Sequence, residues 1–371
     1  MRSRLSSSSS LFCNAPVKKR ILTVLGLLFG LALFAGMVYI SGPQKCLEAL
    51  QQAGFLCFLS FFGLLALQIL FFTLGWQALL RGAGYQPPLY WTGVCQIMGY
   101  LGNNLTPSMY LGGEPVAAYF LARTENLSTR RVMGTMITSK FMQLFAFLIL
   151  FFTGSYLLLS SQPFVDGLPA DYAWFIVVMK WVDVIAAVGS VVLLLLVFTG
   201  RHALTGLIRL LARINLFPYS MMRIKPKIRD METTIHEAFQ KSWPDTITCF
   251  VYSVFAMLTI YARPIVYFQF VDANEAAFSS GVIGVTLVNA AMFFTLSQLV
   301  QVFQFTPGGL GIFDAASVAI FYHVFEISNA YGMGFNLIFR LADAVVIFLG
   351  AYLTFRYGAL MFLKESTLDT R

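Results

Sequence analysis

Between Ile21 and Ile40 the chain runs for twenty residues without a charged side chain. A helix of that length rises about 30 Å, the thickness of the hydrocarbon core of a bilayer. The pattern is repeated. Apolar runs fall at about 53–80, 132–160, 173–198, 246–270, 280–303, 312–328 and 332–356, with a shorter one at 89–102. Of the 371 residues 58% are hydrophobic and only 11% charged, against a charged share of about 25% in an ordinary soluble domain. A soluble globule of this size has no interior large enough to hide that much apolar surface. The expected fold is therefore all-α, a polytopic membrane protein with about seven to eight transmembrane helices plus re-entrant or broken helices. It forms one membrane domain over 21–358, between a flexible basic N-terminus at 1–20 and a tail at 359–371.

The surplus charge of +8 orients these spans, because lysine and arginine near helix ends stay on the cytoplasmic side. Lys18, Lys19 and Arg20 put the N-terminus inside. Arg81 brings the second span back, and the 200–244 loop, with eight Lys or Arg, is cytoplasmic as well. Within that loop Leu204, Leu207, Ile208, Leu211 and Ile214 recur at helical spacing. They suit either a helix lying in the interface on anionic headgroups or a solvated helix packed on the bundle. Arg356 and Lys364 place the C-terminus inside. Basic residues that frame spans in this way argue against a nucleic-acid binder. The five cysteines form no C-x-x-C pair, the three histidines lack metal-site spacing, and there is no P-loop. Neither a metal nor another cofactor is expected.

The stretch at about 89–122 has basic flanks on both sides, Arg81 before it and Arg123, Arg130 and Arg131 after it. It must enter and leave on one side, as a re-entrant loop or a hairpin of short helices, and Asn103, Asn104, Pro107, Gly112 and Gly113 suit the break. A second stretch follows the same plan 200 residues later. Thr106-Pro107, Glu114 and Lys140 recur as Thr306-Pro307, Asp314 and Arg340, and Ser128, Met133 and Gly134 recur as Ser328, Met333 and Gly334. Ionisable residues inside apolar stretches are rare, so the matched signs weigh more than the five identities. Three spans, 132–160, 173–198 and 246–270, separate the two broken segments, and an odd number of crossings makes the repeats, A at about 89–160 and B at about 280–356, inverted. Such repeats with interrupted helices are a transporter architecture, with the substrate site between the copies near the midplane. The plainer alternative is that Thr-Pro and Gly-Gly merely kink two helices.

The run NNLTPSMYLGGEP at 103–115, with Arg123 and Ser128 after it, and the run TPGGLGIFD at 306–314, with Arg340 and Asp343 after it, resemble the two signatures of the flippase-like family. That family includes the transmembrane region of lysylphosphatidylglycerol synthases and stand-alone bacterial and archaeal proteins. The resemblance covers roughly 90–356. It implies an integral protein of a bacterial or archaeal cytoplasmic membrane that moves a lipid or lipid-linked molecule. Family members often carry an arginine where this chain has Ala117, and usually glutamate where it has Asp314. With its end at Arg371, the chain is expected to lack the soluble aminoacyl-transferring domain and its synthase chemistry.

At about 2.5–3.5 kcal/mol for each charge at the bilayer centre, Glu114, Lys140, Asp314, Arg340 and Asp343 would together cost on the order of 10 kcal/mol if left bare. They must pair or meet water or a ligand. Arg340 and Asp343, three apart on one helix, are placed to pair locally; Lys140 has Gln143 at that position, so Glu114 is its expected partner. As a substrate site, Lys140 and Arg340 would face a lipid phosphate, while Glu114 and Asp314 hold the cations or meet a headgroup amine. Backbone N–H groups beside Gly112, Gly113, Gly308, Gly309 and Gly311, next to Pro307, would donate to phosphate oxygens. Asn103, Asn104 and Gln304 either satisfy loose backbone or line the cavity. Arg263, beside Pro264, is expected to snorkel to outer headgroups. The partners expected are a phospholipid or lipid-linked substrate and anionic headgroups at the cytoplasmic face; oligomeric state is not legible. Two rivals stay open: a membrane enzyme or accessory subunit working on lipid, and a scaffold without transport.

Overall fold

The computed structural model describes residues 17–105, 112–160, 173–198, 242–271, 283–302 and 306–368. The serine run, Pro107, Gln304, the acidic loops and the interfacial helix expected within 200–244 lie outside them. Among the described residues there are ten α-helices and no strand. In chain order they are α1 (Val17–Ser41), α2 (Pro43–Gly82), α3 (Leu89–Leu105), α4 (Glu114–Thr124), α5 (Thr129–Ser160), α6 (Ala173–Phe198), α7 (Trp243–Phe270), α8 (Ile283–Val302), α9 (Ile312–Phe325) and α10 (Asn329–Leu368). A single 3₁₀ turn, Pro307–Gly309, precedes α9.

Among the described residues five segments are long and apolar enough to cross a membrane: Pro43–Gly82, Thr129–Ser160, Trp243–Phe270, Pro307–Phe325 and Asn329–Gly358. α1, α6 and α8, of 25, 26 and 20 residues, also have spanning length. The outward faces are apolar, with Phe29, Phe55, Leu56, Trp181, Ile185, Phe348 and Phe355 all exposed. Contiguous exposed apolar surface of this kind suits lipid and not water. The protein is an all-α, polytopic integral membrane protein.

Two boundaries differ from those read in the sequence. The second span starts at Pro43, ten residues early, because Gly54 takes φ 70°, ψ −177° and lets one helix bend into the next; a side chain would resist that conformation. The last helix runs on to Leu368, beyond its apolar spanning part, Asn329–Gly358.

At the centre α2 and α7 lie along each other, and α10 packs across α2 and α3. Phe61, Tyr267, Phe293, Phe321 and Phe335 interlock there, mostly edge to face, with ring centroids 4.4–6.5 Å apart. Such ring packing adds to stability in a bilayer, where helices gain little from simple apolar burial.

The spacing of 200 in the sequence is present in the backbone. α5 begins at Thr129 and α10 at Asn329, each one residue after its serine. The only described non-glycine residues with positive φ are Asn126 at 53° and Glu326 at 57°, again 200 apart. Both sit between a short helix and a long one, where the chain folds back: Leu127 N–H donates to the Ala122 carbonyl, and Ile327 N–H to the Phe321 carbonyl. The two segments therefore share one plan of interruption, short helix, left-handed turn and long helix.

Candidate functional site

The acidic residue of each repeat stands in the first turn of its short helix, where the helix dipole favours a negative charge. In the first repeat, Lys140 Nζ lies 2.7 Å from Glu114 Oε1, the pairing expected from the sequence. Asn103 braces the same oxygen with its Nδ2 at 2.9 Å, while its Oδ1 accepts from Gly113 N–H at 2.8 Å. The bend at Gly112 and Gly113 is tight. α3 crosses it so closely that a Cβ on Gly113 would overlap the Gly99 carbonyl, and one on Gly102 would come within 2.6 Å of the Gly113 Cα. Glu114 Oε2 is buried with no hydrogen-bond partner among the described residues.

The second repeat is built more tightly. Arg340 holds Asp314 with two bonds, Nε to Oδ1 at 3.0 Å and Nη2 to Oδ2 at 2.9 Å, and also donates to the carbonyls of Gly308 (2.8 Å) and Gly309 (3.2 Å). Asp314 Oδ2 accepts from Gly311 N–H at 2.8 Å, and Asn336 donates to the Asp314 carbonyl at 2.9 Å. Gly308 at φ 60° and Gly311 at φ 81° supply the left-handed backbone that this turn requires.

The expected Arg340–Asp343 pair gives way to these contacts: the arginine fork matches the Asp314 carboxylate and reaches the broken backbone at the same time. Asp343 Oδ1 instead accepts from the Tyr100 hydroxyl at 2.5 Å. Asn104, whose Nδ2 donates to the Tyr100 carbonyl at 3.1 Å, lies against Gly308, where a Cβ would stand 3.3 Å from its Oδ1. The two interruptions thus meet at Asn104 and Gly308.

At that meeting point is a cavity of about 200 Å³. Its charged lining is Glu114, Lys140, Arg263 and Asp343; its neutral polar lining includes Gln68, Gln96, Gln143, Gln298 and Gln301 together with Tyr100 and Asn103. Phe72, Met136, Phe313 and Phe339 supply apolar walls. Eight of the ten helices contribute, all but α1 and α6.

A model of the lysylphosphatidylglycerol synthase transmembrane region matches residues 24–351. The chain belongs to that family. It is 23% identical over 322 residues to a UPF0104 membrane protein of Methanothermobacter thermautotrophicus, covering 85% of this chain and 89% of the relative. It is also 23% identical over 333 residues to a UPF0104 membrane protein of Methanocaldococcus jannaschii, covering 89% and 91%. No solved structure matches.

Of the residues singled out in this member of the synthase transmembrane-region family, Glu114, Lys140, Gly308 and Asp343 line the cavity. Asn104, Gly112, Gly113, Pro307, Gly309, Gly311, Asp314 and Arg340 form the turns and braces behind it, and Pro107 lies outside the described residues. Two expectations are corrected. The N–H groups of Gly113, Gly309 and Gly311 are bonded within the protein, to Asn103, Thr306 and Asp314, so they do not point at a ligand. Arg263 does not snorkel outward. It is 8% exposed, donates to Gln68 Oε1, lies 5.0 Å from the centre of the Phe339 ring and lines the cavity. Its neighbour Pro264 sits inside α7 and deprives the Ile260 carbonyl of its helical donor, so both the cation and the loosened backbone belong to this wall. The glutamines escaped attention as a group because they are spread over four helices; their signal was rarity, since a polar side chain in hydrocarbon is costly wherever it is not needed.

Proposed function

We propose that this protein moves a phospholipid or lipid-linked molecule between the leaflets of a bacterial or archaeal cytoplasmic membrane, with both termini in the cytoplasm. The headgroup would occupy the cavity between the two repeats while the acyl chains stay in the bilayer. The observation that carries this reading is the cavity itself: two cations, two carboxylates and five glutamines converge in a chain otherwise rich in apolar residues. Burying so many polar groups is costly unless they serve a polar ligand or water.

The inverted order of the repeats supplies a means. Rocking of one repeat against the other would expose the same site first to one side and then to the other. Lys140 meets the phosphate and Arg263 takes the second cationic place, the role that the sequence suggested for Arg340.

Purified protein in liposomes, with acyl-labelled fluorescent phospholipids and a membrane-impermeant quencher, measures the movement. Wild type is expected to expose label from the inner leaflet, and Lys140→Gln to slow this by about tenfold or more while the protein still elutes as a folded species; a decade corresponds to ~1.4 kcal/mol. Absence of movement by wild type, with and without an ion gradient, refutes the transport reading.

A further inference from the structure

We propose that the headgroup taken by this cavity is polyhydroxylated, a phosphate ester of a sugar or cyclic polyol, in preference to an amine-bearing one; the inference rests on the transport reading above. The first ground is the hydrogen-bonding inventory of the walls. Each glutamine amide carries two N–H donors and a carbonyl acceptor, of which Gln68 Oε1 is taken by Arg263 and one Gln143 N–H by Ser139 Oγ, and a hydroxyl group likewise both donates and accepts. An ammonium group has three donors and no acceptor. It would engage only the carbonyl half of each amide and leave the N–H half unmet in a buried place, which is unfavourable.

The second ground is direction. The five glutamines come from four helices: Gln68 from α2, Gln96 from α3, Gln143 from α5, and Gln298 and Gln301 from α8. An amine at the end of a flexible arm presents its donors at one point, whereas a ring bearing several hydroxyls presents them around its edge. The distribution of the amides fits the ring.

The carboxylates point the same way. Glu114 Oε1 already accepts from Lys140 and Asn103, and Asp343 Oδ1 from Tyr100. What remains at Glu114 is one buried acceptor oxygen, Oε2, without a partner among the described residues. A single hydroxyl donor fits it, while an ammonium would bring three donors. Lys140 and Arg263 line the same cavity and would take the phosphate, and Phe72 and Phe313 add apolar lining for ring C–H groups.

The test uses two probes on the reconstituted full chain. Acyl-labelled phosphatidylinositol and phosphatidylethanolamine with identical chains are compared for transfer between leaflets. Separately, glycerophosphoinositol and glycerophosphoethanolamine are compared for thermal stabilisation of the detergent-solubilised protein. Phosphatidylinositol is expected to move at least about tenfold faster, and only glycerophosphoinositol to raise the Tm. Combining Gln298→Leu and Gln301→Leu should slow the inositol lipid by about three- to tenfold for each hydrogen bond lost and the ethanolamine lipid by less, so that the preference between the two narrows. Should that variant fail to fold, the wild-type comparison still decides. Equal or faster movement of phosphatidylethanolamine, or equal stabilisation by both soluble headgroups, overturns the polyol assignment and leaves transport standing. Selective stabilisation by glycerophosphoinositol with no lipid movement refutes transport and supports the headgroup assignment.

Discussion

Glu114–Lys140 and Asp314–Arg340 occupy equivalent places 200 residues apart, each an acid in the first turn of a short helix and a base 26 residues later. They are held in opposite ways. Asp314 is fully buried, and its carboxylate is gripped by an arginine that also ties down the carbonyls of Gly308 and Gly309. α1 braces that turn from outside, so closely that a Cβ on Gly30 would stand 2.7 Å from the Leu310 carbonyl oxygen. Lys140 makes a single contact with Glu114, keeps 26% of its side chain exposed, and stands in the cavity wall. A planar five-donor fork suits a permanent clamp, and a flexible ammonium suits a contact that must be remade. The equivalent position is a structural joint in one copy and a cavity-facing pair in the other.

The largest consequence follows from burial. Arg340→Gln leaves the Asp314 carboxylate at 0% exposure without its cation, and breaking a buried pair from one side costs about 3–5 kcal/mol. The expected result is loss of folded protein, read as yield and as melting temperature in detergent. Arg340→Lys should fare nearly as badly, since one ammonium cannot replace two bonds to Asp314 and two to the turn carbonyls. An Arg340→Gln protein that melts like wild type would end the distinction between clamp and cavity-facing pair.

A smaller effect separates the two turns themselves. At Gly113 the limit is space: Ala there collides with the Gly99 backbone, and overpacking at such a crossing costs about 1–3 kcal/mol. At Gly308 the limit is conformation: φ is 60°, and an alanine Cβ would meet nothing closer than the Asn104 Oδ1 at 3.3 Å, so the strain is about 1–2 kcal/mol. Gly113→Ala should therefore lower the melting temperature more than Gly308→Ala. The reverse order would mean that the first turn is the more yielding of the two.

Much of this contrast was out of reach of the sequence, for reasons that lie in particular residues. Apolar length showed the spans, and the fixed offset with matched signs pointed to both ion pairs, because charges in hydrocarbon have few acceptable partners. Which pair would be the clamp was not legible, since it depends on Gly308 and Gly309 turning their carbonyls toward Arg340. Asp343 looked like a helix neighbour of Arg340 until Tyr100 was brought to it from 243 residues away. Arg263 was misread for a similar reason: its position near the end of a span favours snorkelling, but Gln68 and the Phe339 ring hold it inward. Local spacing identifies candidate partners on one helix, while the approach of α2, α3 and α10 decides among them.

The smallest expected effect tests the softer pair directly. Glu114→Gln and Lys140→Gln each remove one charge from a site that is buried on the Glu114 side and open on the Lys140 side. Lys140 retains access to the cavity, so its loss should be partly offset by water at Glu114, and the pair's coupling should be about 1 kcal/mol in a double-mutant cycle of detergent melts. The sign carries the argument. If the pair is real, the double variant is more stable than the sum of the two singles implies, because the second change removes a charge that the first left bare. Strict additivity would show that Lys140 and Glu114 ignore each other in the folded protein. A coupling as large as that of Asp314 with Arg340, measured in the same way, would instead make Lys140 a second clamp and leave Arg263 as the cation most suited to meet a headgroup.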